Sequence, residues 1–594
     1  MTAAPRRPSR PARSRPRGRP LRLSDPHRRM RVALTVVLVL LVVVGGRLVQ
    51  LQGLDGPRYA TAAEQLRLTT IELQAARGAI LDRNGNPLAY SVQARAIFAD
   101  PEMIASPGRT ALAVAPLLGL TPDEIQEKIA VGGRFVYLDR ALDPEIAQQV
   151  MDLRLPGIGV LDEQRREYPA TSTAAQVVGF VDSDNIGLAG VEDSFNDVLT
   201  GTPGELVYER GQYGLPIPAA TQSRTEAVPG STVRLTLDQD LQYQVERAIA
   251  VANDERGVST VQMVVLDTRT GQVLAMAGSP GYDAANPGAV PELLGNPTVS
   301  NVIEPGSVNK MITFAAALDR GLITPETEMT VPDHLAIPGS TISDAWGHAP
   351  VTWTALGVLA ESSNVGTVML ARRVGAPSLD EYLRRFGLGT ATGIELPAES
   401  GGILPPMPEW SGSQTDTIPF GQGISMTVLQ MASMYQAVAN DGVMVPPRIV
   451  EQVIGPDGGV LPQAPAEARR VVSPETAAEL QHMLEAVTSD EGTGPLMRID
   501  GYRVAGKTGT AQRPNPDGGG YAGGGYWATF AGFAPADDPR YVIAISIEQP
   551  DGSQHGGIIA APAFTSVMSY LLQDNGVTPS GTQAPEFRFT ADDE

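Results

Sequence analysis

EPGSVNKM, the segment from Glu304 to Met311, contains a Pro-Gly pair that interrupts regular structure, a predicted helix start and a lysine. Pro305 and Gly306 interrupt the preceding chain, and the apolar run after Ser307 predicts a helix that continues to Leu318 and is followed by Gly321. Because this helix is apolar nearly all round, we expect it to be buried. Ser307 lies at its start and Lys310 follows one turn later on the same face, so the hydroxyl and the amine are predicted to meet.

Lysine is rare in this chain, which makes its position in the segment informative. Only Lys128, Lys310 and Lys507 are lysines among the 45 basic residues. A serine becomes a good nucleophile when a neighbouring base takes its proton, and a lysine removed from water can lose its charge and serve as that base. Arginine cannot do so, because its guanidinium group stays protonated. The Ser-x-x-Lys spacing also occurs by chance at helix starts, so other motifs are needed to show whether this pair is catalytic.

Two further motifs complete a pattern. Ser362-Ser363-Asn364 by itself could be a helix cap. Lys507-Thr508-Gly509-Thr510 contains another of the three lysines. Together the three motifs predict one active site in which both lysines supply amines.

Residues 501–508, GYRVAGKT, also match the phosphate-binding pattern GxxxxGK[ST]. Such a loop leads from a strand into a helix whose first amides bind phosphate. Here residues 502–505 are themselves strand-like, and prolines at 514 and 516 and a glycine run at 518–525 exclude a helix. We therefore predict a hairpin, with a mobile glycine-rich loop between the strand of Lys507 and a strand at Tyr526.

Composition limits the possible functions of the whole chain. With 594 residues, the chain is expected to form two or three folded units. It has no cysteine, which excludes disulfides and thiolate zinc sites, and its five histidines lack metal-ligand spacing. Residues 1–31 hold eleven arginines and one aspartate, a charge of about +10, so the rest of the chain carries about −31 and the net charge is −21. This acidic body argues against nucleic-acid binding.

A single membrane anchor is predicted near the amino terminus. Residues 32–46, VALTVVLVLLVVVGG, form an apolar run of fifteen, and flanking arginines and leucines extend it to a transmembrane segment at 32–52. The arginine-rich arm, residues 1–31, is then cytoplasmic and the acidic bulk lies outside. A cleaved signal peptide is the alternative, although no small-x-small cleavage pattern follows. The Arg28-Arg29 pair also leaves twin-arginine export as a weaker alternative.

Local patterns outline the organisation beyond the anchor. We expect a hairpin at residues 79–89 around Asn84-Gly85, helices across 109–153 with a start signal at Thr121, and a boundary within 201–230. Further expectations are a helix near 238–253, a hairpin formed by 260–267 and 271–277, and strands at 526–533 and 541–548. Strands at both ends of this region with helices between them predict one antiparallel sheet with helices on its faces. Residues 576–594 are predicted to be a mobile tail.

The three motifs in this order resemble the signature of the penicillin-binding proteins and serine β-lactamases. Ser-Ser-Asn in the middle motif favours the transpeptidase branch. Three further segments resemble the pedestal of class B penicillin-binding proteins: RGAILDRNG at 77–85, REYP at 166–169 and GLAGVE at 187–192. SSNVG at 362–366 and FGQGIS at 420–425 are most similar to the division-specific FtsI type of actinobacteria.

The resemblance implies an α/β (α+β) fold of the transpeptidase and serine β-lactamase type. An antiparallel sheet flanked by helices is expected at residues 230–575, after a mixed α+β dimerisation or pedestal domain at 53–225. No metal or organic cofactor is implied.

The resemblance also implies roles for the motif residues. Ser307 would attack the penultimate D-alanine of a stem peptide ending in D-Ala-D-Ala. Lys310 would act as its base, with a pKa lowered by burial and by Lys507. Ser362 would protonate the leaving D-alanine, and Asn364 would hold the donor amide. Thr508, Gly509 and Thr510 would bind substrate, with Lys507 helping to hold the terminal carboxylate and the amides of Ser307 and Thr510 forming the oxyanion hole.

The implied function is membrane-anchored cross-linking of peptidoglycan in septal wall synthesis, inhibited by β-lactams. Implied partners are stem peptides, lipid II-derived glycan, a SEDS-type septal glycosyltransferase and other divisome proteins, at the division septum of the cell membrane. Alternatives are an elongation-type transpeptidase, a D,D-carboxypeptidase or β-lactamase, and a non-catalytic divisome scaffold.

Overall fold

The computed structural model describes residues 26–56, 58, 68–209, 222–256, 260–337, 340–515, 518, 520–549 and 555–592. Most of the predicted arginine-rich arm lies outside these ranges. Helix α1 (Pro26–Val49) continues through a π-helical turn, Gln50–Leu54. Its apolar segment is long enough to cross a membrane. The helix therefore contains the predicted span and begins six residues earlier.

Contacts divide the chain into two compact units. The first comprises the chain up to Glu72 together with Glu205–Thr225, and the second comprises Leu73–Gly204 with Glu226–Glu594. The elements before residue 236 are β1 (Leu68–Leu73), β2 (Ile80–Leu81), β3 (Pro87–Ala99), α2 (Pro107–Leu118), α3 (Pro122–Ala130), β4 (Val136–Leu142), α4 (Pro144–Asp152), β5 (Ile158–Glu167), α5 (Ala175–Val178), α6 (Gly190–Ser194), α7 (Asn196–Leu199), β6 (Gly204–Glu209), β7 (Gln222–Thr225) and β8 (Thr232–Leu235).

The predicted hairpin at residues 79–89 is confirmed. Strands β2 and β3 pair antiparallel, and Gly85 in their turn has φ +90°, a conformation that favours glycine. The helix start predicted at Thr121 is also confirmed, and the structure adds a capping box there, because Thr121 and Glu124 exchange hydrogen bonds. The expectation of helices throughout 109–153 is wrong in one place, where β4 pairs with β3. Its Val136 and Tyr137 suit a strand, and pairing along the long β3 overrides the helical neighbours.

The remaining elements form the catalytic region. They are α8 (Gln239–Arg256), β9 (Val261–Asp267), β10 (Val273–Ser279), α9 (Pro297–Ser300), α10 (Lys310–Asp319), β11 (Glu328–Val331), β12 (His334–Ile337), β13 (Ser340–Ser343), β14 (Val351–Thr354), α11 (Ala355–Ala360), α12 (Asn364–Val374), α13 (Ala376–Arg385), α14 (Gln414–Thr417), α15 (Val428–Ala439), β15 (Val443–Met444), β16 (Val450–Ile454), β17 (Val460–Leu461), β18 (Arg469–Arg470), α16 (Pro474–Val487), β19 (Ala505–Gln512), β20 (Tyr526–Ala534), β21 (Tyr541–Gln549), α17 (Gly556–Ile559) and α18 (Ala561–Asp574).

A five-stranded sheet organises this region in the order β10-β9-β21-β20-β19. Every neighbouring pair is antiparallel. One face packs on α8 and α18, and the opposite face packs on α10 and α15. The predicted antiparallel sheet with helices on both faces is therefore confirmed, and β19 lies at its edge. The strand of Lys507 begins at Ala505, not at Tyr502, which makes only an isolated bridge to Ile499.

The carboxyl-terminal segment differs from its prediction. Residues 577–592 were expected to be a mobile tail, but the structure places them against the catalytic region. Tyr502 donates a hydrogen bond to the carbonyl of Val577, and Thr354 donates its amide to the carbonyl of Phe589. Phe589 is buried in the main core. Polar composition suggested a free tail, but two aromatic side chains near its end, Phe587 and Phe589, provide apolar area that packing removes from water.

Candidate active site

Ser307 lies in a short 3₁₀ turn, Gly306–Asn309, that leads directly into α10. The amide of Lys310 donates to the carbonyl of Ser307, which places the two residues one turn apart as predicted. Gly306 has φ +60°, and its amide donates to the carbonyl of Gly421 at 3.1 Å. The helix after the turn is buried, so the nucleophile is held by a rigid element.

Lys310 is completely buried, and its amine contacts the second motif. Nζ donates to the main-chain carbonyl of Ser362 and lies 3.2 Å from the Ser362 Oγ. Burial lowers the pKa of Lys310 well below its usual value, and the charge of Lys507 lowers it further, while Asp344 acts in the opposite direction. The amine can therefore be neutral, as a general base must be.

The Ser-Ser-Asn turn is held in a strained conformation. Ser362 has φ +61°, a region that costs free energy for any residue with a side chain. Ser363 caps α12 by accepting from the Gly366 amide, and Asn364 donates to the carbonyl of Ser343 at 3.1 Å. These contacts aim the Ser362 hydroxyl at Lys310.

Asp344 and His348 support this turn from behind. The Asp344 carboxylate accepts from the Ser363 hydroxyl at 2.7 Å and from the Val365 amide at 3.0 Å. His348 Nε2 lies 3.1 Å from the same carboxylate, and its Nδ1 lies 2.8 Å from the carbonyl of Ala349. Burial lowers the pKa of His348, but these two acceptors outweigh burial and raise the pKa above its usual value. Both ring nitrogens face acceptors, so the imidazolium form fits this site. No motif in the sequence indicated either residue.

Edge strand β19 supplies the third motif. Lys507 is fully buried, and its amine donates to the carbonyl of Thr508 at 3.0 Å. Burial lowers the pKa of Lys507 to about 7, opposed by the nearby Glu361. A Cβ on Gly509 would lie 2.2 Å from the Thr529 Oγ1 and 3.0 Å from the carbonyl oxygen of Pro305. Only glycine therefore lets β19 approach the Ser307 turn this closely.

The three motifs surround one cleft of about 590 Å³. The predicted site residues on its wall are Ser307, Ser362, Asn364, Thr508, Gly509 and Thr510. Lys310 and Lys507 lie buried behind this wall. Residues that sequence reasoning did not single out also line the cleft, including Trp346, Glu361, Thr493 and His555. Glu361 directly precedes Ser362, whereas Trp346, Thr493 and His555 come from segments outside the three motifs and share no local pattern that could have identified them.

The hairpin loop after β19 contacts the segment before the nucleophile. The Tyr521 hydroxyl donates to the Glu304 carboxylate at 2.9 Å, and the Gly423 amide donates to it at 3.1 Å. Burial raises the pKa of Glu304. The loop joins β19 directly to β20, which confirms that residues 501–508 do not form a phosphate-binding loop. Among the described residues, no group of three or more histidine or acidic side chains is arranged to hold a metal ion.

Three amino-terminal motifs also converge in the structure. Glu192 is fully buried between Arg77, at 2.6 Å, and Arg166, at 2.7 Å. Arg77 comes from RGAILDRNG, Arg166 from REYP and Glu192 from GLAGVE. Arg166 also donates to the carbonyl of Gly78. Three segments that are far apart in the sequence thus meet in one buried ion cluster.

Comparisons with known proteins agree with this architecture. Residues 72–235 match the family model of the penicillin-binding protein dimerisation domain, and residues 261–569 match that of the penicillin-binding protein transpeptidase domain. Penicillin-binding protein PbpB of Mycolicibacterium smegmatis is 43% identical, covering 95% of this chain and 92% of that protein. Peptidoglycan D,D-transpeptidase FtsI of Escherichia coli K12 is 35% identical over 91% of each chain.

A solved structure shows the same similarity. Penicillin binding protein 3 of Mycobacterium tuberculosis, complexed with aztreonam, has a TM-score of 0.69 and 39% identity, covering 88% of this chain and 100% of that one. The motifs, the fold and these relatives lead to one conclusion: this chain belongs to the class B penicillin-binding proteins.

Proposed function

We propose that this protein is a membrane-anchored peptidoglycan D,D-transpeptidase that cross-links stem peptides through an acyl-enzyme on Ser307. The observation that carries the proposal is the buried amine of Lys310, which lies one turn from Ser307 and contacts Ser362. Relatives named peptidoglycan D,D-transpeptidase support the same chemistry.

In the acylation step, the Ser307 Oγ attacks the carbonyl carbon of the penultimate D-alanine. Its proton passes to the neutral Lys310 amine. The amides of Ser307 and Thr510 stabilise the oxyanion. Their proximity is supported by Gly306, whose added Cβ would lie 3.3 Å from the carbonyl carbon of Thr510. The peptide C–N bond then breaks, and terminal D-alanine leaves after its nitrogen takes a proton through the Ser362 hydroxyl.

In the second step, an amine of a neighbouring stem attacks the ester carbonyl. The amine loses a proton to the Lys310–Ser362 pair, the ester C–O bond breaks, and Ser307 regains its proton. Asn364 holds the donor amide in both steps, whereas Lys507, Thr508 and Thr510 bind the terminal carboxylate only before D-alanine leaves. Thr508 and Thr510 are suitably placed because both line the cleft.

β-Lactams acylate Ser307 by the same route and remain bound as a stable ester. The side chains that carry out these steps need no metal or organic cofactor. Glycan strands derived from lipid II supply the stem peptides.

We further propose that residues 32–52 anchor the protein with its amino terminus in the cytoplasm. A dimerisation domain at 53–225 and a transpeptidase domain at 230–575 lie outside the membrane. Relatives named FtsI support the proposed role at the division septum. A SEDS-type glycosyltransferase and other divisome proteins are the partners that we propose.

Labelling of the detergent-solubilised full chain with a fluorescent penicillin tests the proposal. We expect one adduct on Ser307 and none in Ser307→Ala. A donor peptide ending in D-Ala-D-Ala, offered with an acceptor amine, should yield free D-alanine and a cross-linked product. Hydrolysis without cross-linking would identify a carboxypeptidase instead, and absence of any adduct would identify a scaffold.

A further inference from the structure

The carboxyl-terminal segment, residues 577–592, crosses the catalytic region as an ordered strip and is called here the C-terminal strap. It begins beyond residue 569, where the match to the transpeptidase family model ends. Its two ends contact two different elements of the active site.

The first end contacts the segment that leads into β19. The Ser580 amide donates to the carbonyl of Gly501 at 2.9 Å, and the Arg503 amide donates to the Ser580 Oγ at 3.1 Å. The Arg503 guanidinium links Thr582 of the strap, at 2.9 Å, to Glu485 of α16, at 2.6 Å. Lys507 follows Arg503 by four residues, so this end of the strap holds the start of the strand that carries Lys507.

The second end contacts the start of α11. Thr354 caps this helix, because its hydroxyl accepts from the Gly357 amide at 3.0 Å. The same hydroxyl donates to the carbonyl of Arg588 at 2.7 Å, and the Thr354 amide donates to the carbonyl of Phe589 at 2.9 Å. Thr590 forms a bridge with Trp353. The six-residue helix α11 leads from this contact to Glu361 and Ser362.

Glycine at position 357 allows the strap to lie close to α11. A Cβ at this position would lie 2.1 Å from the carbonyl oxygen of Phe589. Gly357 has an ordinary helical backbone, since it is not among the glycines with positive φ. A helix does not otherwise favour glycine, so the strap is the physical reason for it.

Helix α16 connects the two ends. It packs against both α11 and β19. Phe587 of the strap lies over His482 of this helix, with ring centroids 5.2 Å apart. The strap, α16 and the two motif-bearing elements thus form one continuous packed layer.

We propose that the C-terminal strap is a positioning part of the active site, setting the separation between the element of Ser362 and the element of Lys507. The inference rests on the proposed acylation of Ser307. Removal of the strap loosens the starts of both elements without touching any residue that contacts substrate. The chemical step then slows, because small displacements of reacting groups are costly.

The test compares four full-length forms in detergent: wild type, Gly357→Ala, a chain ending at Gly576, and the double variant. Stopped-flow measurement of acylation at several penicillin concentrations separates the dissociation constant of the penicillin complex from the first-order acylation rate. Both values are taken from the folded protein that becomes labelled. We expect truncation to lower the acylation rate by on the order of 10- to 100-fold with little change in the dissociation constant. An unchanged acylation rate would overturn the proposal.

The effect of Gly357→Ala should depend on whether the strap is present. In the full chain, Gly357→Ala should lower both the acylation rate and Tm, because its Cβ collides with the strap. In the truncated chain the same change should leave Tm unchanged or raise it, since alanine favours a helix. Equal effects in both backgrounds would contradict the proposed contact. Failure of wild type to form any adduct would instead refute the proposed function.

If the truncated chain does not fold, Phe589→Ala and Phe589→Leu replace it. In Phe589→Leu the larger side chain should keep the strap in place, so most of the acylation rate should remain. Phe589→Ala should show the lowered acylation rate that is expected for the truncated chain. Equal acylation rates in wild type and Phe589→Ala would then overturn the proposal.

Discussion

The amine of Lys310 lies 3.2 Å from the hydroxyl oxygen of Ser362 and also donates to the Ser362 carbonyl. The sequence placed Lys310 beside Ser307, one turn away on the same helix. The structure adds that this amine joins the first motif to the second. A proton held by Lys310 can therefore pass directly to Ser362, the serine proposed to protonate the leaving group.

Lys310→Arg should abolish acylation although it preserves a basic side chain. A guanidinium group cannot lose its proton at neutral pH, and a general base contributes about 100-fold or more to rate. Because position 310 is fully buried, the permanent charge should also lower stability, so Lys310→Met serves as a neutral second variant. Penicillin labelling of folded protein measures the effect. Lys128→Arg, which changes the remaining lysine, should label like wild type.

Lys507 should make the stability of the protein depend on pH. Its pKa is about 7 in the folded state, whereas an unfolded lysine titrates near 10.4. Between these values the unfolded chain binds more protons, so stability rises with pH by up to about 1.4 kcal/mol per pH unit. Chemical denaturation from pH 7 to 9.5 should show a shallower rise in Lys507→Met. The slope should be unchanged in Lys128→Met, and an equal slope in both variants would refute this expectation.

His348→Gln should change how acylation depends on pH. The raised pKa of His348 means that its charge supports Asp344 fully below about pH 6.5 and is lost as pH rises through the folded value. Glutamine keeps a donor but no charge, and charged hydrogen bonds are roughly twice as strong as neutral ones. The ratio of wild-type to variant acylation rates should therefore be greatest at low pH and fall as pH rises.

In this ratio the effects of Lys310 and Lys507 titration on the acylation rate cancel, because both proteins contain these lysines. His334→Gln is the matched control, because His334 pairs with Asp333 on an exposed hairpin. A ratio that does not vary with pH would show that His348 only fills space.

Gly509→Ala should slow acylation by displacing β19 from the Ser307 turn. The new Cβ would fall 2.2 Å from the Thr529 Oγ1 on the neighbouring strand and 3.0 Å from the carbonyl oxygen of Pro305, which lies just before the Ser307 turn. We expect a decrease of roughly 100-fold, since misplacement by about 1 Å has that effect. Gly288→Ala, where a Cβ meets no atom within 4 Å, should retain the wild-type rate.

Glu192→Gln should destabilise the amino-terminal region strongly. It leaves two buried guanidinium groups, Arg77 and Arg166, without their carboxylate, a change that typically costs 3–5 kcal/mol. Asp490→Asn breaks the exposed pair with Arg498 and should cost less than about 1 kcal/mol. Urea denaturation of both variants distinguishes these values, and similar losses would show that the buried cluster has no special role.

Short-range signals predicted much of the site. Ser307 and Lys310 are one helical turn apart, as the spacing of the motif predicts from helix geometry alone. Strong local patterns also identified the hairpin at Gly85 and the cap at Thr121. Where a local pattern competed with long-range pairing, as at β4, the prediction failed because the partner strand lies about 40 residues earlier in the chain.

The sequence by itself determined the chemistry: a serine, a lysine able to lose its proton, and a second amine in a chain that otherwise uses arginine. The tertiary structure alone decided the rest. It buried Lys310 against Ser362, brought Asp344 and His348 behind the Ser-Ser-Asn turn, and laid residues 577–592 across the starts of α11 and β19. These relationships join segments separated by tens to hundreds of residues. They arise from packing around a common sheet, which leaves no periodic or local signature in the sequence.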